Sequence, residues 1–141
     1  MRKRCLFLAV SVLGVLGGCM NKTMADDAKS SATEFGLGPH ELMQLQDRAT
    51  HGDCPAALRV ARYYSLGRNE SVAAIPWLRR AASCGSSSVK AELVYLLVGS
   101  YPFSEIESEV NVLADEIERI DAALGMTVRS EIERVKKRLA R

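Results

Sequence analysis

The sequence predicts an all-α fold: antiparallel helical hairpins forming a fragment of an α-solenoid, closed by a C-terminal helical hairpin. Three observations carry this prediction. Between Pro39 and Gly99, short blocks place apolar residues three and four positions apart, as one face of a helix requires. Each block is opened by a proline or a serine cluster, or closed by a glycine, which are the ordinary start and stop signals of helices. The C-terminal third carries two longer stripes of the same period, and β-type alternation is scarce throughout.

In chain order the first element is a leader. Arg2, Lys3 and Arg4 precede an almost wholly apolar run from Cys5 to Leu16. That run is short of the roughly 20 residues a bilayer-spanning helix needs and suits a cleaved signal peptide over residues 1–18. Leu16-Gly17-Gly18-Cys19 then resembles the lipobox of bacterial lipoproteins, in which the cysteine thiol takes the lipid. Cleavage before Cys19 takes 18 residues from 141 and leaves 123, enough for one compact domain. It also takes three of the 19 basic residues, leaving 16 against 17 acidic ones, so no nucleic-acid partner is expected. Methionine after Cys19 favours, by analogy with Gram-negative sorting, an outer-membrane anchor facing the periplasm. Of the four cysteines, Cys54 and Cys84 remain unmodified in an oxidising compartment, and two thiols suggest one disulfide.

Residues 19–38 comprise the lipidated cysteine and a polar, glycine-containing stretch without apolar period, read as a flexible tether. The first helix follows from Pro39 to Gly52 with Leu42, Leu45 and Ala49 on one face. The second opens at Pro55, aligns Leu58, Ala61 and Tyr64, and ends at Gly67. A third spans about Val72 to Cys84, with Ala74, Trp77, Leu78, Ala81 and Ala82 inward, and Gly85 stops it. Pro76 is placed near the start of that helix, where a first turn tolerates it. The fourth begins after Ser86-Ser87-Ser88 and carries Ala91, Leu93, Val94, Leu96 and Leu97 up to Gly99.

Two of these blocks carry a repeat signature. Val60-Ala61-Arg62-Tyr63-Tyr64-Ser65-Leu66-Gly67 fits a first-helix pattern Leu-(Gly/Ala)-x-x-Tyr-x-x-Gly, and Ala74 to Gly85 fits a second-helix pattern Ala-x-x-Trp-(Tyr/Leu)-x-x-Ala-Ala-x-x-Gly. The chain thus resembles the Sel-one-like repeat, a relative of the tetratricopeptide repeat. Ala49-Thr50-His51-Gly52 returns as Ala82-Ser83-Cys84-Gly85, which extends the register to half-repeats on both sides, over residues 39–100. The resemblance implies small residues at the helix contacts, with Tyr64 and Trp77 filling the groove between them. It also implies that Cys54 and Cys84, at neighbouring ends of one hairpin, staple the repeat as some family members do. A redox pair would want a Cys-x-x-Cys spacing and a basic activator, which the sequence lacks.

Residues 101–141 form the closing hairpin. Ser104-Glu105-Ile106-Glu107 reads as a capping box, and Ile106, Val110, Leu113, Ile117, Ile120 and Leu124 recur at steps of four and three. A fold-back at Gly125-Met126 leads to a second stripe, Val128, Ile132, Val135 and Leu139, and sets the basic end of the second helix beside the acidic start of the first.

Neither a catalytic site, a metal site nor a cofactor is expected. His40 and His51 lie too far apart along one helix to share an ion, and the sequence has no phosphate-cradling glycine loop, serine elbow or metal-ligand spacing. The resemblance implies instead a protein that binds another, as yet unidentified, protein as an envelope scaffold or adaptor. The expected contact residues are Arg62, Tyr63, Arg79 and Arg80 of the repeat, with Tyr101 and Phe103 in the loop after it. Two further readings stay open: an immunity protein that inhibits a toxin delivered to the periplasm, and a homo-oligomer joined through the C-terminal heptads.

Overall fold

A computed structural model describes residues 35–141, which form six α-helices and no strand. Cys19, the leader and the remainder of the stretch up to residue 34 lie outside the described residues. The helices are α1 (Pro39–Thr50), α2 (Cys54–Arg62), α3 (Ser71–Ala82), α4 (Ser87–Ser100), α5 (Phe103–Ile120) and α6 (Ala122–Leu139). A π-helical turn, Tyr63–Gly67, extends α2, with the Arg68 N–H donating to the Tyr63 carbonyl at 2.9 Å.

Each helix packs on its neighbours in sequence, and contacts between α4 and α6 run within a row. Arg62–Glu92 at 3.2 Å ties α2 to α4, and Arg79–Glu109 at 2.7 Å ties α3 to α5. Two rows result, α2-α4-α6 and α3-α5, and the end of α1 lies by the end of α3, where Thr50 and Arg80 line one depression. Neighbours run antiparallel: Lys90 near the start of α4 reaches Glu116 late in α5 at 2.6 Å, and Lys136 late in α6 reaches Glu107 early in α5 at 3.1 Å. The second contact matches the expected pairing of basic end with acidic start. The fold is therefore the all-α stack of hairpins read from the sequence, closed by a C-terminal hairpin.

The turns follow from local chemistry. Gly52 at φ +93 and Gly85 at φ +92 occupy the left-handed region that ends a helix without a Cβ penalty. After α1 the Gly52 N–H donates to Ala49 and the Asp53 N–H to Arg48, pairing carbonyls the helix leaves over. The next helix is capped at once. Asp53 Oδ1 accepts from the Ala56 N–H at 2.9 Å, and one register later Ser86 Oγ accepts from the Val89 N–H at 3.5 Å. Between α5 and α6 a single residue, Asp121, ends one helix and caps the other by accepting from the Leu124 N–H at 3.0 Å.

The core is aliphatic. Ile75, Leu78, Leu93, Leu97 and Ile117 are its largest fully buried side chains. Around α2 and α3 alanines 56, 57, 61, 74, 81 and 82 are buried, so the backbones approach closely there. On α4 only Tyr95, Gly99 and Ser88 are exposed, because this helix is flanked on several sides.

Several expectations are corrected. The buried stripe of α2 is Ala57, Val60 and Ala61, with Leu58 and Tyr64 half-buried beside it, and on α3 Ile75 is buried more completely than Trp77. Helix α3 starts at Ser71, so Pro76 lies in its second turn; both Pro76 and Val72, whose carbonyl it leaves unpaired, are exposed. Helix α4 starts inside the serine cluster and continues through Gly99, which meets no neighbour that would force a turn. No capping box forms at Ser104, because α5 begins one residue earlier, after Pro102. The stripe of α5 turns inward at Ala114 and leaves Ile120 exposed, while Leu124 belongs to α6. The fold-back is at Asp121. Gly125 lies within α6 instead, so close to α5 that a Cβ would stand 2.6 Å from the Glu118 Cα.

Candidate functional site

The row α2-α4-α6 presents the candidate site. Where α2 passes into its π turn, Leu66 stands 45% exposed; on α4 Tyr95 is 44% exposed. Between them, with Ala91, Leu96 and Leu124, runs an open apolar furrow of about 450 Å³. The Arg62–Glu92 pair closes one border, since Glu92 also lines it. The π turn shapes the other. Gly67 lets the incoming backbone pass, for a Cβ there would sit 3.2 Å from the Phe35 carbonyl oxygen. The expected tether is therefore already in contact with the stack at Phe35, before Gly38.

Tyr95 also borders a second furrow of about 390 Å³ between the end of α4 and α6, lined by Val98, Tyr101, Phe103, Val135 and Leu139, with Arg138 beside them. Lys136 Nζ lies 5.5 Å from the centre of the Phe103 ring, a cation–π distance. The glutamate beneath it, Glu107, raises the pKa of Lys136 by accepting its hydrogen bond. A larger depression, about 530 Å³, lies among α3, α4 and α5, and two ion pairs cross it, while Arg119 at its edge donates to the Asp115 carbonyl. There Glu109 accepts two hydrogen bonds of 2.7 Å from Arg79 and raises its pKa, and the Lys90 ammonium holds the Glu116 carboxyl below its ordinary range.

The six expected contact residues do not form one patch. Arg62 is engaged by Glu92, and Tyr63 packs edge to face on Tyr64 with ring centres 5.1 Å apart. Arg79 is tied to Glu109, and Arg80 lies 5.9 Å from the centre of the Trp77 ring, near the far end of α3. Tyr101 and Phe103 are brought together in the second furrow. Leu66, Tyr95 and Leu124 were not among the expected contacts; the one signal for them is an aromatic residue in the middle of α4, a helix whose other large side chains turn inward.

At the opposite end Cys54 and Cys84 stand paired as a disulfide across the start of α2 and the end of α3, with Cα atoms 6.4 Å apart. Nearby, Asp53 has a depressed pKa because its carboxylate accepts from the Ala56 N–H and from Arg48. Among the described residues no group of His, Cys, Asp or Glu could hold a metal ion, and no helix is long and apolar enough to cross a membrane.

No known protein family matches the chain, and no solved structure does. Over 88 residues the chain is 31% identical to the uncharacterized protein YibG of Escherichia coli (strain K12), an alignment covering 60% of this chain and 58% of that protein. The chain thus spans less than two thirds of that relative's length.

Proposed function

We propose that this is a periplasm-facing lipoprotein of the Sel-one-like repeat type, anchored through Cys19 in the outer membrane, that binds another protein as a scaffold or adaptor. The lipobox-like Leu16-Gly17-Gly18-Cys19 supports the anchor, and the turns repeated from Ala49-Gly52 to Ala82-Gly85 support the repeat. The observation that carries the binding role is the apolar furrow on the α2-α4-α6 row. Exposed Leu66 and Tyr95 flank it, and an aromatic residue beside an aliphatic pocket is the residue pattern of interface anchors.

The test is capture at the furrow in cells. A photoreactive amino acid in place of Tyr95 should give a discrete protein adduct, while the same group at Gln44 on exposed α1 should give none. With the partner in hand, Leu66→Ser and Tyr95→Ser together should weaken binding at least about tenfold, or 1.4 kcal/mol. Reversing Arg79 and Arg80 is a poorer test, since it breaks the Arg79–Glu109 tie between α3 and α5. Absence of any adduct at Tyr95 would sink the reading. A captured toxin would convert the adaptor into an immunity protein acting through the same face.

A further inference from the structure

Two ends of the stack differ in what they expose. At one end lie the disulfide, Gly52, Gly85 and the Asp121 turn. At the other, Phe35 lies against Gly67, α4 passes into α5 through Tyr101 and Pro102, and α6 makes its last turn beside them. The described chain therefore begins at this second end, on the side of Cys19 in the sequence. Leu139 there is 65% exposed, next to Tyr101 and Phe103. Around it Lys137, Arg138 and Arg141 have no carboxylate partner among the described residues, whereas Arg134 and Lys136 do. An exposed leucine, two half-buried aromatic rings and unpaired cations gathered at one end match the apolar boundary, the headgroup layer and the phosphates of a leaflet, in that order.

We propose that this end docks on the anionic phospholipid headgroups of the leaflet that holds the anchor; the proposal rests on the lipid-anchor reading above. Sixteen residue steps separate Cys19 from Phe35, and a chain of that length can reach at most about 55 Å, which permits contact without enforcing it. The cations supply what chain length alone does not, each adding attraction that dies away within a Debye length of the surface. Cations in the last turn of α6 also suit its helix dipole, so stability cannot serve as the readout and lipid contact must.

The experiment uses the full processed chain in vesicles of phosphatidylcholine, alone or mixed with phosphatidylglycerol. A photoreactive phenylalanine replaces Leu139 or, as control, His51 at the opposite end. Lipid adducts are expected at position 139 in the mixed vesicles and not at position 51. Their yield should fall at least about fivefold without phosphatidylglycerol, and likewise in Lys137→Gln, Arg138→Gln, Arg141→Gln combined, whose helicity is checked by circular dichroism. Equal yields at both positions, or a yield indifferent to phosphatidylglycerol, overturn the proposal, as do adducts at position 139 to protein alone. A chain that floats with the vesicles yet gives no adduct at position 139 overturns the docking and leaves the anchor; a chain that fails to float overturns both.

Discussion

Gly99 and Gly125 both sit inside helices, and alanine should act in opposite directions at the two. At Gly99 a methyl group would meet nothing within 4 Å, so Gly99→Ala should gain about 0.5 to 1 kcal/mol through helix propensity and chain entropy. At Gly125 the same methyl group would press on the Glu118 backbone, which cannot rotate aside. Helices α5 and α6 must then part, and overpacking of about 1 to 3 kcal/mol or more should outweigh the propensity gain. Urea denaturation of both variants reads the two signs directly. Charged residues give a second expectation. Asp53 and Glu116 have depressed folded pKa values, from the Ala56 N–H with Arg48 and from Lys90 respectively. The stability they contribute is complete above the ordinary carboxylate range and is lost as pH falls through the depressed values. Denaturation midpoints should therefore drop on acidification below about pH 4, and Glu116→Gln should flatten that dependence. A midpoint insensitive to pH in the parent protein would refute it.

At the scale of elements, the Cys54–Cys84 bond closes a loop of 30 residues and should add about 3 to 4 kcal/mol by restricting the unfolded chain. Reduction, or serine at both positions, should lower the melting temperature by about 10 °C or more while leaving the helix signal intact below the transition. The helices were legible because their apolar stripes and their proline and glycine signals agree. The last turn departs from the sequence expectation for a specific reason: a glycine serves equally to end a helix and to let two helices touch, and only the packing of Gly125 on Glu118 separates the uses. Asp121 before Ala122-Ala123-Leu124 carried the correct cap signal. The candidate site was largely illegible. Leu66, Tyr95 and Leu124 come from three helices, and the stripe within each helix says nothing of the alignment between them. The residue type of Arg79 suits an interface, but it cannot reveal that Glu109, 30 positions on, already holds it.

For the molecule as a whole, the proposed leader and Cys19 make the simplest test. Cys19→Ser should leave the precursor unprocessed and reduce its share in the membrane fraction; an unchanged mature mass would remove the anchor. If the anchor holds, the disulfide gains a mechanical meaning. Tension applied from Cys19 would reach Phe35 first among the described residues and then α1, which packs chiefly on α2 and can peel away alone. At Cys54 the load path jumps through the sulfur bridge to Cys84, so the hairpin between them bears no force. A molecule pulled from its anchor in an optical trap should thus keep 30 residues of length in reserve, and reductant should release about 100 Å of additional extension. The bond acts as a shunt that protects the complete hairpin while the helices on either side give way.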